Sequence, residues 1–196
     1  AVGATTPTAT VNANNLPAGA AKYFDLGTIG NLPNGFNGSA VVTAKLASDN
    51  TTAAKVVVTA NELGTAGNDA KSFEGTALSG AKVYMPSALC NAFGGQTTAY
   101  AVQNADLSNS VSFQVRYKRT NAADLIDGPY SLAAGGKKSI ITCNKMPGGT
   151  SGSAIIERTS GAGSLVAVGK VSGNNFQTAF LGIVEGTGSA KKIGRA

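Results

Sequence analysis

Ser79-Gly80-Ala81-Lys82 spells Ser-x-x-Lys, a spacing at which a lysine can activate a serine nucleophile. That chemistry needs the serine at a helix start, with Ser-Asp-Asn and Lys-Thr-Gly elements in support. Neither element occurs here, and Lys82 falls in a strand-like pattern. Gly149-Thr150-Ser151-Gly152-Ser153 is glycine-rich but has no histidine partner, so it reads as a loop entering a strand. Asp124 and Asp127 precede Gly128, a grouping that a Ca²⁺ loop could use and that an ordinary turn also explains. Lysines beside asparagine or aspartate could close isopeptide crosslinks in a surface β-protein, but no pair is specified by the sequence. The chain has no histidine, the commonest general base near neutral pH and the commonest metal ligand. The expectation is therefore a non-enzyme with no catalytic residues, no metal and no cofactor.

Cys90 and Cys143 lie outside any Cys-x-x-Cys motif, which argues against zinc. They read as a disulfide, with free buried thiols as the alternative. Asn37-Gly38-Ser39 and Asn50-Thr51-Thr52 match the N-glycosylation pattern, making Asn37 and Asn50 possible acceptors. Surface serines and threonines could carry O-linked sugars.

The formal net charge is +6, and charged residues make up only 13% of the chain, against roughly 25% in an average soluble domain. A polar, weakly charged surface is common among extracellular proteins. Arg116, Lys118 and Arg119 cluster without an interleaved aromatic platform, so nucleic acid is not an expected partner. No apolar run approaches the roughly 18 residues of a membrane span. Ala1-Val2-Gly3-Ala4 fits a mature amino terminus left after signal cleavage.

Strand signals dominate the chain: short β-branched or aromatic runs separated by Gly, Asn or Pro. Candidate strands are 8–13, 39–46, 55–60, 81–86, 97–103, 111–118, 137–142, 153–158, 165–171 and 176–181. Val111, Phe113, Val115 and Tyr117 alternate with Ser112, Gln114, Arg116 and Lys118, as in a half-buried antiparallel strand. No stretch carries a helical period over ten residues.

An internal repeat organises these strands. Leu16-Pro17-Ala18-Gly19-Ala20-Ala21-Lys22 matches Leu132-Ala133-Ala134-Gly135-Gly136-Lys137-Lys138. Leu32-Pro33-Asn34-Gly35-Phe36-Asn37-Gly38-Ser39-Ala40 matches Met146-Pro147-Gly148-Gly149-Thr150-Ser151-Gly152-Ser153-Ala154. Val56-Val57-Val58 then corresponds to Leu165–Val168, and the block ends near Phe73 and Phe180. The tail begins the pattern again: Ala190-Lys191-Lys192-Ile193 resembles Ala81-Lys82-Val83-Tyr84, and each follows a Glu-Gly-Thr. The second unit opens with strands at 81–86 and 97–103 that the first unit lacks.

These patterns predict an all-β chain of two tandem antiparallel β-sandwich units, Ig-like or jelly-roll-like, the first incomplete. Residues 1–78 form the incomplete unit, 79–183 the complete one, and 184–196 a tail. The expected first-unit core is Val11, Phe24, Ile29, Leu32, Val42, Val56, Val58 and Phe73. The expected second-unit core is Val83, Leu89, Phe93, Tyr100, Val102, Val111, Phe113, Val115, Ile141, Ile155, Val168 and Phe180. An open sheet exposes apolar side chains and unpaired backbone groups, and a strand from another chain repairs both. Ser189, Ala190, Lys191, Lys192, Ile193, Gly194 and Arg195 are the candidate donor strand, although residues 1–7 could serve instead. Head-to-tail contacts of this kind build rings or open helical filaments.

Cys90-Asn91-Ala92-Phe93-Gly94-Gly95, Tyr100-Ala101-Val102-Gln103-Asn104 and Ile141-Thr142-Cys143 carry a resemblance. They resemble the repeated Cys-containing β-sandwich domains of secreted surface proteins from filamentous, often thermophilic, bacteria. The resemblance covers most of 81–182 and, more weakly, 8–75. It implies a Cys90–Cys143 pairing and a structural role at the cell surface. The first unit departs from it, with Leu26, Gly27 or Ile29 near the Cys143 position and no disulfide. The assembly logic is similar to that of donor-strand pilins. The expected function is a subunit of an extracellular filament or pilus whose partner is itself. The alternative is a monomeric surface adhesion or carbohydrate-binding module, with surface glycans as partner.

Overall fold

The computed structural model describes residues 6–63, 70–173 and 176–187. It is all-β, sandwich-like and antiparallel throughout, with an incomplete amino-terminal unit. The amino-terminal unit contributes the 3₁₀ turn η1 (Leu26–Thr28) and a hairpin of β1 (Thr59–Leu63) and β2 (Ala70–Glu74). The carboxy-terminal unit carries β3 (Lys82–Cys90), β4 (Thr97–Asn104), β5 (Val111–Arg119), β6 (Leu125–Leu132), β7 (Lys137–Ile141), the 3₁₀ turn η2 (Thr142–Asn144), β8 (Thr150–Gly161), β9 (Leu165–Gly173), β10 (Phe176–Leu181) and β11 (Ile183–Val184).

Two sheets enclose one core, in the orders β10-β9-β4-β7 and β11-β3-β8-β5-β6. Side chains on a strand alternate between faces, and β4, β5 and β9 follow that alternation residue by residue. Tyr100 and Val102 from one sheet meet Val83, Phe113, Val115, Tyr117 and Ile156 from the other. Gly169 is glycine for a packing reason: the Phe180 ring occupies the space a Cβ would need, 2.2 Å from its ideal position. Pro86 has no N–H to give a ladder, and the β3–β8 register shifts between Met85 and Ala88 around it.

Polar groups inside the sandwich are paired where they tie loops together. Asn104 is fully buried. Its Nδ2 donates to the carbonyls of Asn109 at 2.7 Å and Ala133 at 3.0 Å, while its Oδ1 accepts from Asp106 and Ser164 N–H groups. One side chain therefore joins three loops at one end of the sandwich, with all of its hydrogen-bonding capacity used. At the other end the buried Thr142 hydroxyl sits between the Leu89 and Thr98 carbonyls.

Several expectations are corrected. Candidate strands 8–13 and 39–46 form no ladder among the described residues, beyond an isolated bridge between Lys45 and Ala53. Of 55–60, only Thr59 and Ala60 enter a strand. Val11, Phe24, Val42 and Val56 are exposed rather than buried. In the carboxy-terminal unit Phe93 lies on a turn with positive φ, and Ile141 is exposed. Ile140 and Ile156 face the core in place of Ile141 and Ile155, and Ala167 in place of Val168. Strand β6 was not expected, because Asp127-Gly128-Pro129 reads as a turn; it is an edge strand, where proline is tolerated.

Candidate assembly surface

By the repeat correspondence, residues 8–75 align with the carboxy-terminal unit from β5 onward. The equivalents of β5 onward start at Thr8, and nothing in this sequence corresponds to β3 or β4 ahead of it. In the carboxy-terminal unit β3 is hydrogen-bonded along β8, and β4 lies between β9 and β7. Residues 39–46 correspond to β8 and residues 55–63 to β9. In the complete unit β8 also pairs with β5 and β9 with β10, so each equivalent has one further neighbour within the first unit. Residues 39–46 form no ladder with 8–13, the β5 equivalent, and among the described residues they carry only the Lys45–Ala53 bridge. The β1–β2 hairpin survives because its counterpart, the β9–β10 hairpin, is a local pairing that needs neither absent strand.

The unpaired region displays apolar surface. Val57 is 89% exposed, and Val41, Val42, Leu46, Leu16 and Tyr23 are also exposed. Val11, Tyr23, Phe24, Asp25, Thr28, Ile29 and Gly30 line an open hollow of about 350 Å³. A second hollow, about 200 Å³ and largely apolar, lies among Tyr84, Met85, Pro86, Lys118, Ser153, Ala154, Ile155 and Ile183. There β11 pairs with β3 only at Val83 and Tyr84, and among the described residues no other strand lies along that edge.

The amino-terminal region meets the sandwich where β2 lies against β10 and through polar and charged side chains. Glu62 on β1 pairs with Lys170 on β9 and lies 3.9 Å from Lys71 on β2. Lys170 Nζ stands 5.8 Å from the centre of the Phe73 ring. The Asn37 side chain reaches Lys137 and Ser139 on β7. On the opposite sheet Glu157 accepts from Gln114 at 2.7 Å and from Arg116 Nη2 at 2.8 Å, and these bonds hold its carboxyl below the usual range.

Each residue singled out from the sequence now has a place. Cys90 at the end of β3 is bonded to Cys143 in η2, with S–S 2.11 Å, which closes the alternative of free thiols. Asn50 is exposed, in a turn with φ +52°. Asn37 is also exposed, but both polar atoms of its side chain are engaged. Ser79 bonds to Ser164 at 2.9 Å, while Lys82 pairs with Glu185 at 2.9 Å, so the Ser-x-x-Lys pair is not brought together by any hydrogen bond. Asp124 pairs with Lys118 at 2.5 Å and Arg116 at 3.8 Å, and Asp127 accepts from Tyr130. Among the described residues no group of three or more metal-ligating side chains occurs, and no helix is long and apolar enough to cross a membrane. The candidate donor strand, Ser189 to Arg195, lies outside the described residues.

No family model matches the chain, and no curated protein matches it. A solved structure titled "Crystal Structure of Thermotoga maritima 1070" is similar at a TM-score of 0.38 and 13% identity, covering 54% of this chain and 95% of that one. Likeness at that level carries no argument about this chain.

Proposed function

We propose that the protein is a non-enzymatic structural subunit of an extracellular filament or pilus, polymerising head-to-tail by β-strand donation between copies. One observation carries this reading. The amino-terminal unit keeps a hairpin and the turns of its complete neighbour, but residues 39–46, the β8 equivalent, form no ladder among the described residues, and Val41, Val42 and Val57 are exposed. A strand supplied by a second copy would satisfy the backbone and cover the valines together. The tail from Ser189 to Arg195 is the proposed donor, since its sequence resembles the start of β3, the neighbour that 39–46 lacks. The Cys90–Cys143 bond supports an oxidising, extracellular setting.

The test is electron microscopy of the purified protein beside a variant lacking residues 187–196. Fibres from the full chain and none from the truncated one are expected, with the Cys90–Cys143 unit still folded. A full chain that stays monomeric at high concentration, or a truncated chain that forms normal fibres, would overturn strand donation by the tail.

A further inference from the structure

The amino-terminal region meets the sandwich at a lysine and an asparagine 100 residues apart in sequence. Lys137, on edge strand β7, is only 5% exposed although its side chain is on the outer side of its sheet. Its Nζ donates to Asn37 Oδ1 and, at 2.6 Å, to Ser139 Oγ. Asn37 Nδ2 donates to the same Ser139 oxygen at 3.4 Å. The serine hydroxyl thus stands between the lysine nitrogen and the amide nitrogen.

We propose that Lys137 and Asn37 form an isopeptide bond that fastens the amino-terminal region covalently to the sandwich. The Lys137 amine attacks Asn37 Cγ, a new Cγ–Nζ bond forms, and the Cγ–Nδ2 bond breaks. The amide nitrogen leaves as ammonia. The proton given up by Nζ passes through Ser139 Oγ to the departing nitrogen, so atoms and electrons balance without any oxidant or co-reactant.

Three features of the site serve this step. An Nζ in direct contact with Oδ1 is one C=O bond from the carbon it attacks, and productive attack distances are about 3–3.5 Å. Burial, and after it the positive charge of Lys170, lowers the Lys137 pKa and enlarges its nucleophilic neutral fraction, with Glu62 opposing in part. Asn37 is exposed on its other side, which lets ammonia escape to solvent. The bond would consume the amide nitrogen that a sugar at Asn37 would need. It does not depend on the filament reading, since both residues belong to one chain.

Intact-mass measurement of the folded wild-type chain tests the proposal. The expected mass is the disulfide-bonded value less one ammonia, and digestion should release a branched peptide joining the Asn37 and Lys137 segments. Lys137→Arg keeps the charge, cannot make this bond, and should restore the full mass. Ser139→Ala should form the bond about 10²-fold more slowly, the usual contribution of a positioned proton-transfer group. A wild-type mass with no ammonia missing would overturn the proposal. So would an ammonia deficit that persists in Lys137→Arg without a branched peptide, because Gly38 nitrogen attacking Asn37 gives a succinimide of the same mass.

Discussion

Ala20 N–H reaches the Pro17 carbonyl at 3.1 Å, and in the second unit Gly136 N–H reaches Ala133 at 3.0 Å. Gly19 and Gly135, at matching positions in those turns, have φ of +75° and +66°. The 3₁₀ turn at Leu26–Thr28 answers the one at Thr142–Asn144. Gly35 after Leu32-Pro33 repeats Gly149 after Met146-Pro147, at φ +74° and +78°. So the two units share their local punctuation. They part where structure depends on distant strands: one has a core of fully buried Val, Phe, Tyr and Ile, while the other leaves Val11, Val41, Val42, Val56 and Val57 exposed. Turns form from residues a few positions apart, whereas a sheet needs a partner from elsewhere in the chain or from another chain.

Removing the proposed partner is the harshest way to break this comparison. Deleting residues 187–196 should abolish fibres altogether in electron micrographs, while near-ultraviolet signals of the carboxy-terminal unit persist. The next largest effect should come from the staple that only one unit has. Replacing both Cys90 and Cys143 by alanine removes a 53-residue closure and should cost that unit about 4 kcal/mol by the chain-entropy account, read by denaturant unfolding.

A one-carbon deletion in the core should cost more than a two-carbon deletion outside it. Ile156→Val, within the core, should destabilise by about 0.5–1.5 kcal/mol. Val57→Ala, at an exposed position, should stay within about 0.5 kcal/mol in the dissociated subunit yet weaken assembly. The smallest effect concerns the amino-terminal turn at Asp49. Its carboxylate accepts from the Thr52 hydroxyl and from the Thr51 and Thr52 N–H groups, which lowers its pKa to about 2. The carboxylate form holds the turn above about pH 4, and that support is lost as pH falls through about 2. Amide shifts of Thr51 and Thr52 should titrate with that midpoint, and Asp49→Ala should remove the titration.

Much of the carboxy-terminal unit was legible because its strands alternate cleanly. Residues 111–118 and 97–103 became β5 and β4 nearly unchanged. Doublets defeated the same reasoning. Ile140-Ile141 and Ile155-Ile156 satisfy a two-residue period in either phase, and the register of neighbouring strands chose Ile140 and Ile156 for the core. Strand β6 was hidden by Gly128-Pro129, whose turn chemistry is overridden at a sheet edge. The amino-terminal strands were misread for a different reason. Their residue pattern is strand-like, but a pattern states what a segment can pair with and not whether the partner is present. The Asn37–Lys137 meeting could not be read at all, since it joins a loop to an edge strand 100 positions away.

Backbone amide exchange over residues 39–46 and 55–58, measured in the dissociated subunit and again in assembled material, tests the central claim most directly. Strand donation predicts rapid exchange in the lone subunit and strong protection after assembly, on alternate as well as inward-facing residues. Slow exchange in the isolated monomer, or fibres in which these amides stay unprotected, would contradict it.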